Sequence, residues 1–343
     1  MSNNQLPYQK DSVSIEEKVR FLQRVDSYPH ENDHIEVIET HMSWIFMGEE
    51  YVYKLKKPVA FDRMNFSTVD DRYINCEREV RLNRRMAEEI YLGIIPLTLS
   101  ENKQIALNGE GPTIDWLVKM RRLPLDLMLD MAILNDTVSN TDVSRFSQVL
   151  INFYLHIATP IQIDPDTYLN RFKQRIANIH TKLCNPDYQM SLSQIKRLSD
   201  AQMQFLETQG DLLKSRAKEN HIVEAHGDLR PEHICLTQKP IIIDCLEFDL
   251  DLRTQDPVDE LSYLAMECER LGAPLIGEQV LRLYFEATSD QPPEPLISFY
   301  KVFRAYIRSR IALRHIDDDQ PNNHQKWRAQ ANQYLTIAER YIP

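Results

Sequence analysis

Glycine is scarce in this chain, with eight residues in 343. So few leave no Walker-type phosphate loop and no dinucleotide fingerprint, so neither a P-loop NTPase nor a Rossmann oxidoreductase is expected. The five cysteines, Cys76, Cys184, Cys235, Cys245 and Cys268, show no CxxC or CxxH spacing. An odd, scattered set reads as reduced thiols in a cytoplasmic protein rather than a disulfide framework or a zinc site. No run approaches the roughly 20 apolar residues of a membrane span. The opening "MSNNQLPYQKDSVS" has no apolar stretch, so no secretory leader is expected. A basic surplus is also missing: the net charge is −11. Neither nucleic acid nor a membrane is therefore expected as a partner. There is no internal repeat and no low-complexity segment, and the oligomeric state cannot be read.

The hydrophobic share, 43%, is enough to build a sizeable core. "SIEEKVRFLQRV" opens with Ser14 and carries Glu17 three residues on, the capping-box start of a short amphipathic helix. "HIEVIET", "SWIFMG" and "EYVYKLKK" read as three strands with short turns. "STVDDRYINCEREVRLNRRMAEEI" reads as a long helix capped by Ser67. "YLGIIPLTL", "KQIALNG" and "TIDWLVKMRRL" return to strand. No repeated βαβ units follow, which argues against a doubly wound sheet. From Pro124 the texture turns helical: "LDLMLDMAIL", "TDVSRFSQVLINFYLHIA", "DTYLNRFKQRIANIHTKL" and residues 191–218 all carry helical periodicity. "DPVDELSYLAMECERLG" resumes helix after Asp256 as cap and Pro257 in the first turn. The expected architecture is α+β: a β-rich lobe over residues 1–123 and a helical lobe over 124–343.

Two charged stretches interrupt the helices. "EAHGDLRPEHICL" sets Asp228 in a tight turn between His226 and His233. "PIIIDCLEFD" ends an apolar strand in Asp244, with Glu247 and Asp249 close behind. Upstream, Lys54 and Lys56 share one face of their strand, because strand side chains alternate. "HGDLRPEH" followed by "IIIDCLEFD" resembles the catalytic segment of aminoglycoside phosphotransferase-like kinases. "ETHMSWIFMGEEYVYKLKKPV", "CEREVRLNRR" and "VKMRRLP" look like a branch of such phosphotransferase-like proteins. The resemblance runs from about Ile35 to Arg314. It implies a bilobal protein-kinase-like fold with ATP bound between a β-rich and a helical lobe.

The resemblance also implies roles. Asp228, with Arg230 beside it, takes the position of the catalytic carboxylate that receives the acceptor hydroxyl. In phosphoryl transfer, orienting that hydroxyl matters more than basicity. Asp244 takes the position that holds magnesium, a hard cation that favours oxygen ligands. Lys54 best matches the strand lysine that meets the ATP phosphates, with Lys56 as the other candidate. Glu79 best matches its helix partner, with Glu77 second. Met120 and Arg122 fall in the hinge segment 119–122 where adenine would meet backbone. The expected activity is transfer of the γ-phosphate of ATP to a hydroxyl of a small molecule.

The pattern is broken in two places. Where the family has an asparagine, five residues after the catalytic aspartate, this chain has His233. Neutral imidazole offers nitrogen, which suits zinc or manganese better than magnesium, so Mn2+ becomes the alternative metal; a protonated His233 would instead favour phosphate directly. The turn "ETHMS" has no glycine, leaving Thr40, Ser43 and backbone amides to contact phosphate. A further stretch, "FYKVFRAYIRSRIALRH", puts Arg304, Arg308, Arg310 and Arg314 on a helix that is apolar nearly all round. Buried arginines need partners, so the favoured expectation is internal ion pairing. Arginines lining an acceptor site would instead make the acceptor anionic. Two other readings compete with the kinase. One is a nucleotide-binding regulatory module, weak or inactive in catalysis, motivated by His233. The other is a metal hydrolase built on His226, Asp228, His233 and Asp244.

Overall fold

A computed structural model describes residues 13–61, 64–318 and 323–342. Residues 1–12, which carry most of the stretch read for a leader, lie outside the described residues. The chain divides into two compact units, Met1–Pro124 with Ile242–Leu250, and Leu125–Ile241 with Asp251–Pro343.

The first unit begins with α1, Ile15–Leu22, whose Ser14 and Glu17 form the expected capping box. The strands are β1 Glu36–Glu39, β2 Ser43–Met47, β3 Tyr51–Lys56, the short β4 Ala60–Phe61 and β5 Met64–Asn65, β6 Tyr91–Leu99, β7 Ile105–Leu107 and β8 Thr113–Arg121. The main sheet has the order β1-β2-β3-β8-β6-β7, and its pairs are antiparallel. α2, Val69–Ala87, joins the two halves of the sheet in sequence. Its cap is Thr68, not the expected Ser67, and Thr68 accepts from the Asp71 amide. Ser67 is drawn instead into a local turn, donating its amide and hydroxyl to Asn65 Oδ1.

Register assigns side chains to faces. Tyr53, Leu55 and Leu117 enter a core with Val19, Leu22, Tyr28 and Phe46. Lys54 lies opposite Val118 and Val52 opposite Met120, while Ser43 lies opposite Lys56. Side chains alternate along a strand, so Ser43, Lys54, Lys56 and Met120 share the other face.

The second unit is mostly helical. It holds α3 Leu129–Leu134, α4 Asn140–Asn152, α5 Pro165–Leu183, α6 Leu192–Thr208 and α7 Gly210–Lys218. Short strands β9 Val223–Glu224, β10 Ile234–Cys235 and β11 Ile241–Ile242 precede α8 Leu250–Arg253 and β12 Thr254–Gln255. α9 Pro257–Arg270, α10 Pro274–Thr288, α11 Glu294–Asp318 and α12 His324–Glu339 complete it. Asp256 caps α9 with Pro257 in its first turn, as the sequence implies. "LDLMLDMAIL" is split: Leu125–Leu127 is a 3-10 turn before α3. The helix read through Ala158 ends at Asn152, and Phe153–Ile157 widens into a π turn. Residues 191–218 form two helices that meet at Gln209. No helix among the described residues is long and apolar enough to cross a membrane.

Candidate active site

In the first unit, β3, α2 and the segment 242–250 bring five charges together. Lys54 Nζ lies 2.9 Å from Glu79 and 3.1 Å from Asp244. Lys56 Nζ lies 2.5 Å from Glu79 and 2.5 Å from Glu247. Both lysines therefore share one buried glutamate, but they differ in exposure. Lys56 is 1% exposed and sealed between two carboxylates, so it anchors. Lys54 is 15% exposed and reaches Asp244, whose side chain is 46% exposed. Burial opposes charge on Glu79, yet the two lysines hold its carboxyl below the usual range. Burial likewise opposes the Lys54 charge, and Asp244 and Glu79 raise its pKa well above the ordinary value. Three carboxylates face two ammonium groups, and Asp244 is the most exposed member of the five.

Asp244 adopts φ +62°, a left-handed conformation that aspartate tolerates better than most residues. Its amide donates to Tyr91 Oη at 3.2 Å and the Cys245 amide to Asn83 Oδ1 at 2.8 Å. Arg85 donates to Cys245 Sγ at 3.1 Å. β6 and α2 thus fix the backbone that carries the carboxylate. Glu77, the second choice of helix partner, is turned elsewhere and accepts from Tyr73 at 2.7 Å.

The remaining candidates in this unit are held by backbone. Ser43 is 1% exposed, and its amide donates to Thr40 Oγ1 at 2.9 Å. Met120 is paired on both sides in the sheet, with Val52 and Tyr91. Arg122 donates its amide to the Glu50 carbonyl at 2.8 Å and Nη1 to the Gly48 carbonyl at 2.8 Å. Its Nη2 lies 3.2 Å from Glu36.

In the second unit, β9 pairs with β12 and leads into the turn. Gly227 has φ +94°, a conformation glycine adopts at little cost. The His226 and Gly227 amides donate to Glu260 at 3.0 and 2.5 Å. Glu260 is fully buried on α9 and also accepts from Tyr154 at 2.7 Å. Asp228 accepts from Arg230 Nε at 3.0 Å and from the Tyr263 hydroxyl at 2.9 Å. Burial works against its charge, but Arg230 and the charges around it outweigh burial and hold the carboxyl well below the usual range. Asp228 is therefore ionised at ordinary pH.

His233 Nδ1 lies 2.8 Å from the Asp228 carbonyl and Nε2 3.1 Å from Arg230 Nη2. A carbonyl only accepts and a guanidinium only donates, so these contacts assign the proton to Nδ1 and the lone pair to Nε2. Both ring nitrogens are then used within the turn. Arg230 also binds Glu232 through Nη1. Among the described residues, no group of three or more His, Cys, Asp or Glu side chains is placed to hold a metal ion.

No family model matches the chain. Uncharacterized proteins of Mycobacterium bovis and of two strains of Mycobacterium tuberculosis are 28% identical over 313 residues, which is 90% of this chain. The chain spans 60% of the length of these relatives. A spectinomycin phosphotransferase solved with ADP and spectinomycin superposes with a TM-score of 0.56 at 12% identity, covering 96% of this chain and 99% of that one. An aminoglycoside 2'-phosphotransferase solved with GDP gives 0.56 at 13% identity, covering 94% and 97%. A choline/ethanolamine kinase family protein from Mesorhizobium loti gives 0.53 at 12%, covering 94% of each chain. The chain has a protein-kinase-like fold.

Within this kinase-like fold, several residues that matter to the site were not singled out in the sequence. Glu247, given no role in the sequence beyond lying close behind Asp244, is the second partner of Lys56. Glu260 and Tyr263 hold the turn of Asp228. Their signal lay in "DPVDELSYLAMEC": residues 257–268 are all buried, and an acid in such a helix needs donors. Asn83 and Tyr91 left no signal, because nothing in their local sequence points to residues 244–245.

Proposed function

We propose that this protein is an ATP-dependent phosphotransferase that moves the γ-phosphate to a hydroxyl of a small molecule. The observation that carries this reading is Lys54, held between buried Glu79 and the exposed carboxylate of Asp244. An ammonium fixed by one acid and directed at a second is what a triphosphate and its cation require. Lys54 rather than Lys56 is the phosphate-facing lysine, because Lys56 is sealed. Ser43 lies on the same sheet face, and the backbone near Met120 and Arg122 is the adenine-binding segment.

The residues fit a divalent cation at Asp244, an exposed oxygen ligand. Bound there, a magnesium or manganese ion would supply positive charge against the transferring phosphate. His233 fits less well as a ligand, since its lone pair is engaged by Arg230. We assign it the role of positioning Arg230, which in turn orients Asp228. Asp228 accepts the acceptor hydroxyl. As the hydroxyl oxygen bonds to phosphorus and the bond to the ADP oxygen breaks, the released proton passes to Asp228 and then to water. A strongly held anion is a weak base, so this carboxylate acts mainly by orientation.

His233 also supports a second reading, a nucleotide-binding module with weak or no turnover, because the usual oxygen ligand is missing. Radiolabelled phosphate transfer from ATP, tested across a panel of hydroxyl acceptors, separates the two. The phosphotransferase reading expects Lys54→Ala to weaken ATP binding and Asp228→Asn, which misorients the acceptor hydroxyl, to lower transfer by about 10²-fold or more. His233→Asn should leave the magnesium-to-manganese preference unchanged. ATP binding without transfer under any metal would establish the regulatory reading, and an unchanged ATP affinity in Lys54→Ala would remove the lysine assignment.

A further inference from the structure

Internal ion pairing is the expectation for the arginines of α11. Arg304 is bidentate to Asp259, at 2.6 Å on each side, and Arg308 lies 3.3 Å from Glu267, which also pairs with Arg270 at 2.6 Å. These two satisfy the expectation of internal ion pairing. Arg171 and Arg175 on α5 also share one acid. They stand four residues apart, so the helix puts them on one face. Both close on a single acid: Arg171 Nη2 lies 2.7 Å from the Asp251 carboxylate and Arg175 Nη2 3.0 Å from it. Both Nη2 atoms also donate to the Asp251 carbonyl. Two guanidiniums thus share one carboxylate and leave a net charge of +1.

The donors are also in surplus. Among the described residues, the hydrogen bonds of both side chains go to Asp251 and use Nη2 alone. The Nε and Nη1 edges of two guanidinium forks remain. The side chains are 14% and 26% exposed, partly desolvated yet within reach of a ligand. Burial and then the Arg171 charge lower the Arg175 pKa, the direction expected where positive charge is under-compensated.

We propose that Arg171 and Arg175 form an anion site that takes a carboxylate or phosphate group of the phosphate acceptor. Assigning the anion to the acceptor rests on the phosphotransferase reading; the anion site itself stands on the two arginines. Asp251 holds the forks in one orientation, and the planar guanidinium edges match a carboxylate or phosphate bidentately. A polycationic acceptor would meet repulsion here.

Inorganic phosphate is the first probe. Melting of the full chain is followed in phosphate and in chloride at matched ionic strength. Phosphate should raise the melting temperature of wild type and of Lys54→Ala, but not of Arg171→Gln/Arg175→Gln. Should the double variant fail to fold, Arg175→Lys keeps the charge and loses the fork, and should bind phosphate about tenfold more weakly. A phosphate effect that survives in the arginine variants, or vanishes in Lys54→Ala, overturns the site. With turnover in hand, Arg175→Gln should raise KM for an anionic acceptor and leave KM for ATP unchanged. A preference for cationic acceptors, untouched by Arg175→Gln, overturns the assignment of the site to the acceptor. Phosphate binding through the arginines without transfer to any acceptor keeps the anion site and removes the phosphotransferase reading.

Discussion

Asp228 shows how much one side chain's surroundings decide. Its two oxygens accept from Arg230 and Tyr263, and the nearby positive charge outweighs burial in holding its pKa low. A carboxyl with a depressed folded pKa stabilises the fold above its unfolded value, about 3.9 for aspartate. That contribution is lost as pH falls through the folded value. For Asp228 the loss therefore lies below about pH 5. The pH profile of kcat/KM for phosphate transfer should carry no acid limb from Asp228 above that point. In Arg230→Gln, which removes the main compensating charge, the limb should move up into view. A wild-type limb near pH 6 that shifts further up in Arg230→Gln would mean that Asp228 is a tuned base rather than an orienting anion.

At the scale of elements, a buried charge cluster joins α1, α2 and β8. Lys18 lies 2.8 Å from Asp115 and Arg72 Nε 2.7 Å from it, with all three side chains at most 1% exposed. Removing one partner strands buried charge. Asp115→Asn should therefore cost about 3–5 kcal/mol, read as a lower midpoint in urea unfolding of the full chain. A loss below about 1 kcal/mol would show that the cluster behaves like a surface pair. The six strands of the main sheet were legible because each alternates or runs apolar between turn residues. The capping box at Ser14 was legible because its two partners are three residues apart. Thr68 displaced Ser67 as a cap because Asn65 competes for Ser67, a rivalry that needs the folded turn to be seen. Lys54, Lys56 and Glu79 were singled out as a set, but sequence could not divide their roles, because burial separates them and burial is a tertiary property. Arg171 and Arg175 passed as an ordinary helix face, since Asp251 lies 76 residues beyond Arg175.

For the whole molecule, the two compact units do not follow the order of the chain. Ile242–Leu250 belongs with the first unit although its neighbours in sequence belong to the second. This segment supplies Asp244 and Glu247, which face Lys54 and Lys56. A chain ending at Pro124 should therefore lack cooperative thermal unfolding by circular dichroism. The same chain with Ile242–Leu250 appended through a flexible linker should recover it. A truncated chain that melts cooperatively unaided would show that the segment is dispensable to this unit.

That return of the chain also bears on how such a protein can be recombined. The backbone changes units after Pro124, after Ile241 and after Leu250. A single genetic crossover near Pro124 between this chain and a diverged homologue would give the hybrid one parent's Lys54 and Lys56 and the other parent's Asp244 and Glu247. Chimeras should therefore be tolerated according to whether residues 242–250 travel with their own lysines, and a library built with all three junctions should yield more folded members than one cut at Pro124 alone.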